Sequence, residues 1–452
     1  MKHDLTKGPI LKTLVRYSLP LVITNVVQIL FHTADTLILS VMAGDDAVAS
    51  VGACASLITL LISLFSGFAT GANVLVAQRI GAKNEVGVRR AVGTAIVIGL
   101  SSGTILMIFS EIFARDLLIL MQCQPEVLDQ ATLYMQIYFM GMPFIMLYNF
   151  VAAILRASGD SVRPMTYMLI SGVLNVGLNV LFVSVSGLAV AGVALATVCS
   201  HLVALILALV SLIRSKGACR IERKHLCIRR HEFIAMFKIA LPTCLAAMCF
   251  YAANVVVSAS VNSISKEAMA ANAFAGQFDT FIYTVGCAIA TATAVMVGQN
   301  LGAGRLDRIK KTMGVSLAFA TAVSLLMGII FVVFSDFLLS ILTDSLDVIA
   351  IAKDRMILLC LTYFLTTVME VFSFSLRSLH RQTSVMIVSI FCGLVVRCAW
   401  VWLVWPYCQT LSMLFACFPI SAVLATVCYL FIYKGTVKGL EKRLATGRSL
   451  VE

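Results

Sequence analysis

The sequence predicts an all-α integral membrane protein of twelve transmembrane helices in two six-helix lobes, and three observations predict it. The 452 residues are 60% hydrophobic and only 12% charged, whereas soluble domains carry charge on about a quarter of their positions. Mean hydropathy is +0.98, and apolar stretches of at least about 18 residues, each long enough to cross a hydrocarbon core of roughly 30 Å as a helix, recur from end to end. Lys and Arg alternate from link to link between these stretches.

The spans are expected near Leu14 to Met42, Ala47 to Ala77, Ala91 to Ile112, Leu133 to Leu155, Met165 to Val185 and Ala189 to Ile213. A second set is expected near Phe233 to Val261, Met269 to Val297, Met313 to Phe334, Ile349 to Phe374, Ser384 to Val404 and Ser412 to Tyr433. This gives an N-terminal lobe over 1–213, a basic cytoplasmic linker over 214–232, a C-terminal lobe over 233–433 and a cytoplasmic tail over 434–452. The start, Met1-Lys2-His3-Asp4, runs through a basic amphipathic stretch into a full span with no small-residue cleavage site, so the first span is expected to remain in the mature chain.

Short links rich in Lys and Arg stay on the cytoplasmic side. They are the N-terminus (Lys7, Lys12, Arg16), the second-to-third link (Arg79, Lys83, Arg89, Arg90), the fourth-to-fifth (Arg156, Arg163) and the sixth-to-seventh (Arg214, Lys216, Arg220, Arg223, Lys224, Arg229, Arg230). Arg305, Arg308, Lys310 and Lys311, then Arg377 and Arg381, then Lys434 to Arg448 continue the pattern. The opposite links hold Asp45, Asp46, Glu111, Asp116, Glu126, Asp129, Asp336, Asp344 and Asp347, so both termini are expected inside. Trp400, Trp402 and Trp405 fall at the outer end of the eleventh span, where an interfacial belt would place them.

The net charge of +12 is therefore a membrane-orientation charge; a nucleic-acid partner would need it gathered on one soluble face. The fourteen cysteines lie mostly inside apolar spans without a CxxC pair and read as small buried hydrophobes. Cys219, His225, Cys227 and His231 could gather around zinc, but their spacing fits no standard zinc pattern and a solvated basic loop is the expectation. No metal and no other cofactor is expected. No P-loop, HExxH or GxSxG stands in its required context, which disfavours an enzyme or an ATP-driven pump.

The halves repeat at an offset of about 221 residues: Val76-Ala77-Gln78-Arg79-Ile80-Gly81-Ala82-Lys83 returns as Val297-Gly298-Gln299-Asn300-Leu301-Gly302-Ala303-Gly304. Ser18-Leu19-Pro20 returns as Ala240-Leu241-Pro242, and Leu155-Arg156 as Leu376-Arg377. Six spans precede the second copy, so the lobes are parallel repeats, an arrangement typical of transporters whose site lies between rocking halves. Duplication of a helical bundle without transport is the bland alternative.

Ionisable groups inside spans are costly and so carry functional hypotheses. Asn25, Gln28, His32 and Asp35 fall within an arc of roughly 80° on the first helix, a polar stripe that should face a bundle interior or an aqueous cavity. Asn175 and Asn179 share a face of the fifth span and Thr197 lies at comparable depth on the sixth. With Asp35 these oxygens could hold a proton or a sodium ion, or could only tie helices together. The second lobe has Val256 and Val257 where Asp35 would repeat, and offers Asn254, Gln277, Asp279, Glu370 and Arg397 instead. Arg397 could neutralise one of the two carboxylates, or the acidic pair could hold a cationic substrate.

Gly8-Pro9-Ile10-Leu11 with Ser18-Leu19-Pro20, Thr33-Ala34-Asp35-Thr36, the Val76 to Gly81 motif with its copy Val297 to Gly302, and Leu155-Arg156-Ala157-Ser158-Gly159-Asp160-Ser161 resemble the multidrug and toxic compound extrusion (MATE) family over nearly the whole chain. The resemblance is to its bacterial drug-export and DNA-damage-inducible branches. It implies a V-shaped chamber between two six-helix lobes and export of mainly cationic amphipathic compounds by H+ or Na+ antiport from a bacterial plasma membrane. It also implies a central role for Asp35, with Asn175 and Thr197 matching a first-lobe cation cluster. Asn179 stands where several relatives carry a second aspartate, and His380-Arg381 replaces a Gly-Asp turn. The expected partners are small cationic molecules and the bilayer, and the expected state is a monomer. A flippase for a lipid-linked sugar is the alternative.

Overall fold

The structure is a computed structural model that describes residues 5–43, 45–121, 123–185, 188–215, 217–343, 345–408 and 410–446. Lys216, Asp344, Arg448 and the opening Met1 to Asp4 lie outside the described residues, as do the side chains of Asp45 and Asp46. Everything described is helix or connecting turn: α1 Ile10–Ala43, α2 Asp45–Gly81, α3 Glu85–Leu120, α4 Pro125–Met140, α5 Met142–Ala157, α6 Val162–Val180 and α7 Ala189–Ile213. These are followed by α8 Arg230–Asn262, α9 Lys266–Gly302, α10 Leu306–Val333, the short α11 Ser335–Ser340 and α12 Leu346–Ser378. The chain closes with α13 Gln382–Val388, α14 Val396–Ala399, α15 Trp405–Cys408, α16 Leu411–Phe415 and α17 Cys417–Ala445. Between α13 and α15 the backbone widens into π-helical turns at Ser389–Val395 and Trp400–Val404, so one span is built from several pieces.

Eleven stretches among the described residues are long and apolar enough to cross a bilayer, and α4 with α5 forms a further pair bent by 47°. The fourth span is thus not the single rod Leu133 to Leu155 expected from hydropathy. Gly141 ends α4, and Pro143, without an N–H, starts the next helix. At 33 to 37 residues, α1, α2, α8 and α9 extend well past a hydrocarbon core of roughly 30 Å.

The chain divides into two compact units, one holding Ile23–Cys244 and the other Leu5–Val22 with Leu245–Glu452. Two continuous helices, α1 and α8, therefore contribute to both, and Pro20 and Pro242 sit inside them at the repeated Leu-Pro positions. In the first unit the core centres on Met135, Phe139, Met142 and Met146, packed by Leu118 and Ala194. In the second, Val297, Ile309, Met313, Leu376 and Tyr429 anchor one cluster.

The repeat is written into the backbone at its turns. Lys83 (φ 54°) and Gly304 (φ 71°) take the left-handed conformation at equivalent positions, and so do Gly159 (φ 84°) and His380 (φ 62°). The second copy keeps the turn shape where histidine replaces glycine, at a steric cost of about 1–2 kcal/mol. In the first copy Asp160 is buried, accepts the Arg163 backbone N–H at 3.1 Å and pairs with the Arg163 guanidinium at 3.2 Å. In the second, Arg381 donates from Nε to the Thr436 hydroxyl at 3.1 Å.

The linker is docked rather than free. Arg89 of α3 pairs with Glu222 at 2.6 Å, the Thr94 hydroxyl donates to the Cys227 carbonyl at 3.1 Å, and Arg79 pairs with the buried Glu232 at 2.5 Å. Hydrogen bonding from Lys224, the largest effect, together with the charge of Arg89 holds the Glu222 carboxyl below its ordinary range. None of the fourteen cysteines is joined in a disulfide, and among the described residues no three His, Cys, Asp or Glu side chains are grouped so as to hold a metal ion.

Candidate functional site

The first unit brings together four of the residues singled out in the sequence. Phe31 of α1 fills the space a side chain would take at Gly172 of α6, where a Cβ would lie 1.4 Å from the ring. One turn further along α1 and two turns further along α6, this close approach sets Asp35 against Asn179. Asn179, fully buried, donates from Nδ2 to Asp35 Oδ1, and the same nitrogen lies 3.3 Å from Asn175 Oδ1. Asn175 Nδ2 in turn donates to the Thr197 hydroxyl of α7 at 3.4 Å, and that hydroxyl donates to the Val193 carbonyl at 3.0 Å.

One atom of this hydrogen-bonded series is left over: Asn179 Oδ1 is buried and accepts no hydrogen bond within the described residues. An orphan acceptor beside a carboxylate suits a site whose missing partner is positive, either a proton on Asp35 or a hard cation that both oxygens could share. Three further residues escaped the sequence reading. His201 Nδ1 lies 2.9 Å from the Thr197 carbonyl, and Tyr134 and Tyr138 of α4 are within electrostatic reach of Asp35. The spacing was visible, with both tyrosines at i, i+4 and His201 four residues after Thr197, but spacing alone does not set them apart from ordinary packing. Asn25 and Gln28 are half-buried and His32 is exposed; none of the three makes a side-chain hydrogen bond within the described residues.

The second unit encloses a cavity of about 390 Å³, a volume in the range of small-molecule sites. Asn254 of α8, Asp279 of α9, Arg355 of α12 and Arg397 of α14 line it, between the rings of Phe250, Phe415 and Phe418. Asp279 and Arg397 come together here as the sequence suggested, but they are not partners. The carboxylate of Asp279 pairs with Arg355 at 2.7 Å and accepts the Cys360 thiol at 3.5 Å. Cys360 is held close by Gly328 of α10, where a Cβ would meet the Cys360 carbonyl oxygen at 2.2 Å.

Arg397 has no carboxylate within ion-pair distance among the described residues. Its Nε donates to Ser421 at 3.0 Å and its Nη1 to Asn254 Oδ1 at 2.9 Å, while its guanidinium carbon sits 4.6 Å and 5.0 Å from the Phe418 and Phe250 ring centres. The expected neutralisation of Asp279 or Glu370 by Arg397 is therefore replaced by an Asp279–Arg355 pair. Glu370 is buried near Tyr283 and Arg377 but does not line the cavity, and Gln277 is exposed away from it.

A repeated bundle of membrane-spanning helices with buried polar clusters in each unit is the architecture of a membrane transporter. Residues 20–181 and 242–403 each match the MatE family, and the chain belongs to that family, one of multidrug transporters. It is 26% identical over 441 residues, 95% of both chains, to a probable multidrug resistance protein, YoeA, of Bacillus subtilis. Over 242 residues, 54% of each chain, it is 22% identical to the multidrug export protein MepA of Staphylococcus aureus strain MSSA476. The fold is shared with a multidrug resistance MATE family transporter of the MOP superfamily solved in an outward-facing conformation, at 21% identity and a TM-score of 0.90 over 98% of this chain and 99% of that one.

Proposed function

We propose that this protein is an antiporter, coupled to H+ or Na+, that exports small amphipathic compounds with a cationic centre across a bacterial plasma membrane, both termini lying in the cytoplasm. The observation that carries the reading is the Asp35–Asn179–Asn175–Thr197 chain with its unsatisfied Asn179 oxygen. Charged Asp35 accepts from the Asn179 amide. Once protonated, Asp35 can donate instead, and rotation of the Asn179 amide offers its orphan oxygen; a sodium ion would draw both oxygens onto itself. Either event removes the net charge from the face of α1 and lets it pack differently against α6. The ion thus favours one of two conformations by the difference in its affinity for them, and the repacking that follows its binding expels the substrate. The Lys and Arg distribution supports the orientation.

The test is accumulation of a fluorescent cation in cells stripped of their own exporters. Wild type should lower accumulation and Asp35→Asn should not; equal efflux by both sinks Asp35 as the switch. One observation favours the flippase alternative: Arg355 joins Arg397 in the second cavity, and a pyrophosphate linkage needs several cations. That reading predicts no efflux of the cation by either protein.

A further inference from the structure

We infer that the cavity of the second unit binds an anionic oxygen group, and that the exported compounds carry a carboxylate to occupy it. This rests on the reading of the chain as an exporter of amphipathic compounds and names the second charged group those compounds bring.

The argument begins with charge. Among the residues lining the cavity the guanidiniums are Arg355 and Arg397 and the one carboxylate is Asp279, so the lining carries two positive charges against one negative. Asp279 is already committed, with Oδ2 on Arg355 at 2.7 Å and Oδ1 on the Cys360 thiol. Arg397, 2% exposed, gives its Nε and Nη1 hydrogens to neutral oxygens, Ser421 and Asn254, and its Nη2 makes no hydrogen bond within the described residues. Glu370, itself under the influence of Arg377, acts on Arg397 electrostatically from outside the lining, and closes no ion pair with it among the described residues.

The second observation is independent of the tally. Arg355 is 8% exposed, yet among the described residues its Nε and Nη1 have no acceptor. Buried guanidinium donors are ordinarily satisfied; two left unmade in a side chain that lines a cavity leave that side of it short of an acceptor. A carboxylate suits this wall, because its two oxygens match the guanidinium fork and its charge offsets the excess cation. A cationic group there would face two guanidiniums. Phe415 lies 5.0 Å from the Arg355 guanidinium carbon, and Phe250 and Phe418 flank Arg397, so aromatic faces stand beside both charges to receive the body of such a compound.

The experiment is equilibrium binding to the full chain in lipid nanodiscs, followed by fluorescence anisotropy. The probes are a cationic xanthene dye bearing a free benzoate and the methyl ester of the same dye. Wild type should bind the acid at least about tenfold more tightly than the ester. Arg397→Gln and Arg355→Lys should each shrink that ratio severalfold, and sodium benzoate should displace the acid form. A wild-type protein that binds the ester as tightly as the acid overturns the inference, and needs no variant to fold. So does a preference that survives both substitutions, or displacement by a polyprenyl pyrophosphate but not by benzoate, which would assign the site to a lipid-linked phosphate. No ion gradient is present, so failure of ion coupling at Asp35 leaves this result untouched, and failure here leaves the coupling account standing.

Discussion

Asp279→Asn removes one charge and keeps the shape. The pair it breaks is short, 2.7 Å, with side chains only 9% and 10% exposed. Taking one partner from a buried pair strands the other charge, which costs about 3–5 kcal/mol. Two features of the site reduce that figure: Phe415 faces the stranded Arg355, returning on the order of 1 kcal/mol, and the asparagine oxygen still accepts a hydrogen bond. A loss of about 2–3 kcal/mol is expected, and Arg355→Met should cost a similar amount by stranding Asp279. In the double variant Asp279→Asn/Arg355→Met no charge is stranded, and stability should return to within about 1 kcal/mol of wild type. The assay is unfolding in bicelles by added dodecyl sulfate, read by loss of helicity, with the four proteins compared as a double-mutant cycle. Single losses below about 0.5 kcal/mol with no coupling between them would refute the reasoning, because the pair would then be worth no more than a surface one.

Three further outcomes are expected. Gly172→Leu drives a side chain into Phe31, so it should cost about 1–3 kcal/mol in the same assay and abolish efflux by parting Asp35 from Asn179; undiminished efflux would contradict the placement of the site. His380→Gly removes a left-handed histidine at φ 62° and should raise stability by about 1 kcal/mol, whereas an unchanged midpoint would show that the turn is unstrained. Glu222 is held below its ordinary 4.5, so its clasp on Arg89 contributes above that value and is lost as pH falls through the lowered one; Glu222→Gln should mimic the loss at neutral pH by speeding alkylation of the buried Cys219, and an unchanged rate would show that the clasp does not hold the linker.

Hydropathy reveals spans because a membrane demands apolar length, and the described helices follow that demand closely. Where it misleads, a local backbone rule intervenes: Gly141 and Pro143 break the fourth span at 47°, which an average over a window cannot register. The first cluster was legible because Asp35 is a lone carboxylate in an apolar helix and Asn175 and Asn179 share a face. Its tyrosines were not, since a tyrosine in a span reads as ordinary packing until a carboxylate is placed beside it. Arg355 was overlooked for the opposite reason. It stands next to Lys353 and Asp354 near the start of its helix, a run that reads as solvated charge, yet one face of that turn points inward to Asp279 while Lys353 pairs with Asp336 on the exposed side. Which of three adjacent charges is buried depends on helix phase against its neighbours, and that is settled only by packing such as Gly328 against Cys360.

The central claim is that a cation gradient drives export through Asp35, and proteoliposomes test it most directly. Efflux of a fluorescent cation is followed under an imposed proton gradient and, separately, an imposed sodium gradient, for wild type and Asp35→Asn. The account predicts gradient-driven export by the wild type under at least one of the two and none by the variant. Export by Asp35→Asn at the wild-type rate, or no export under either gradient, would contradict it.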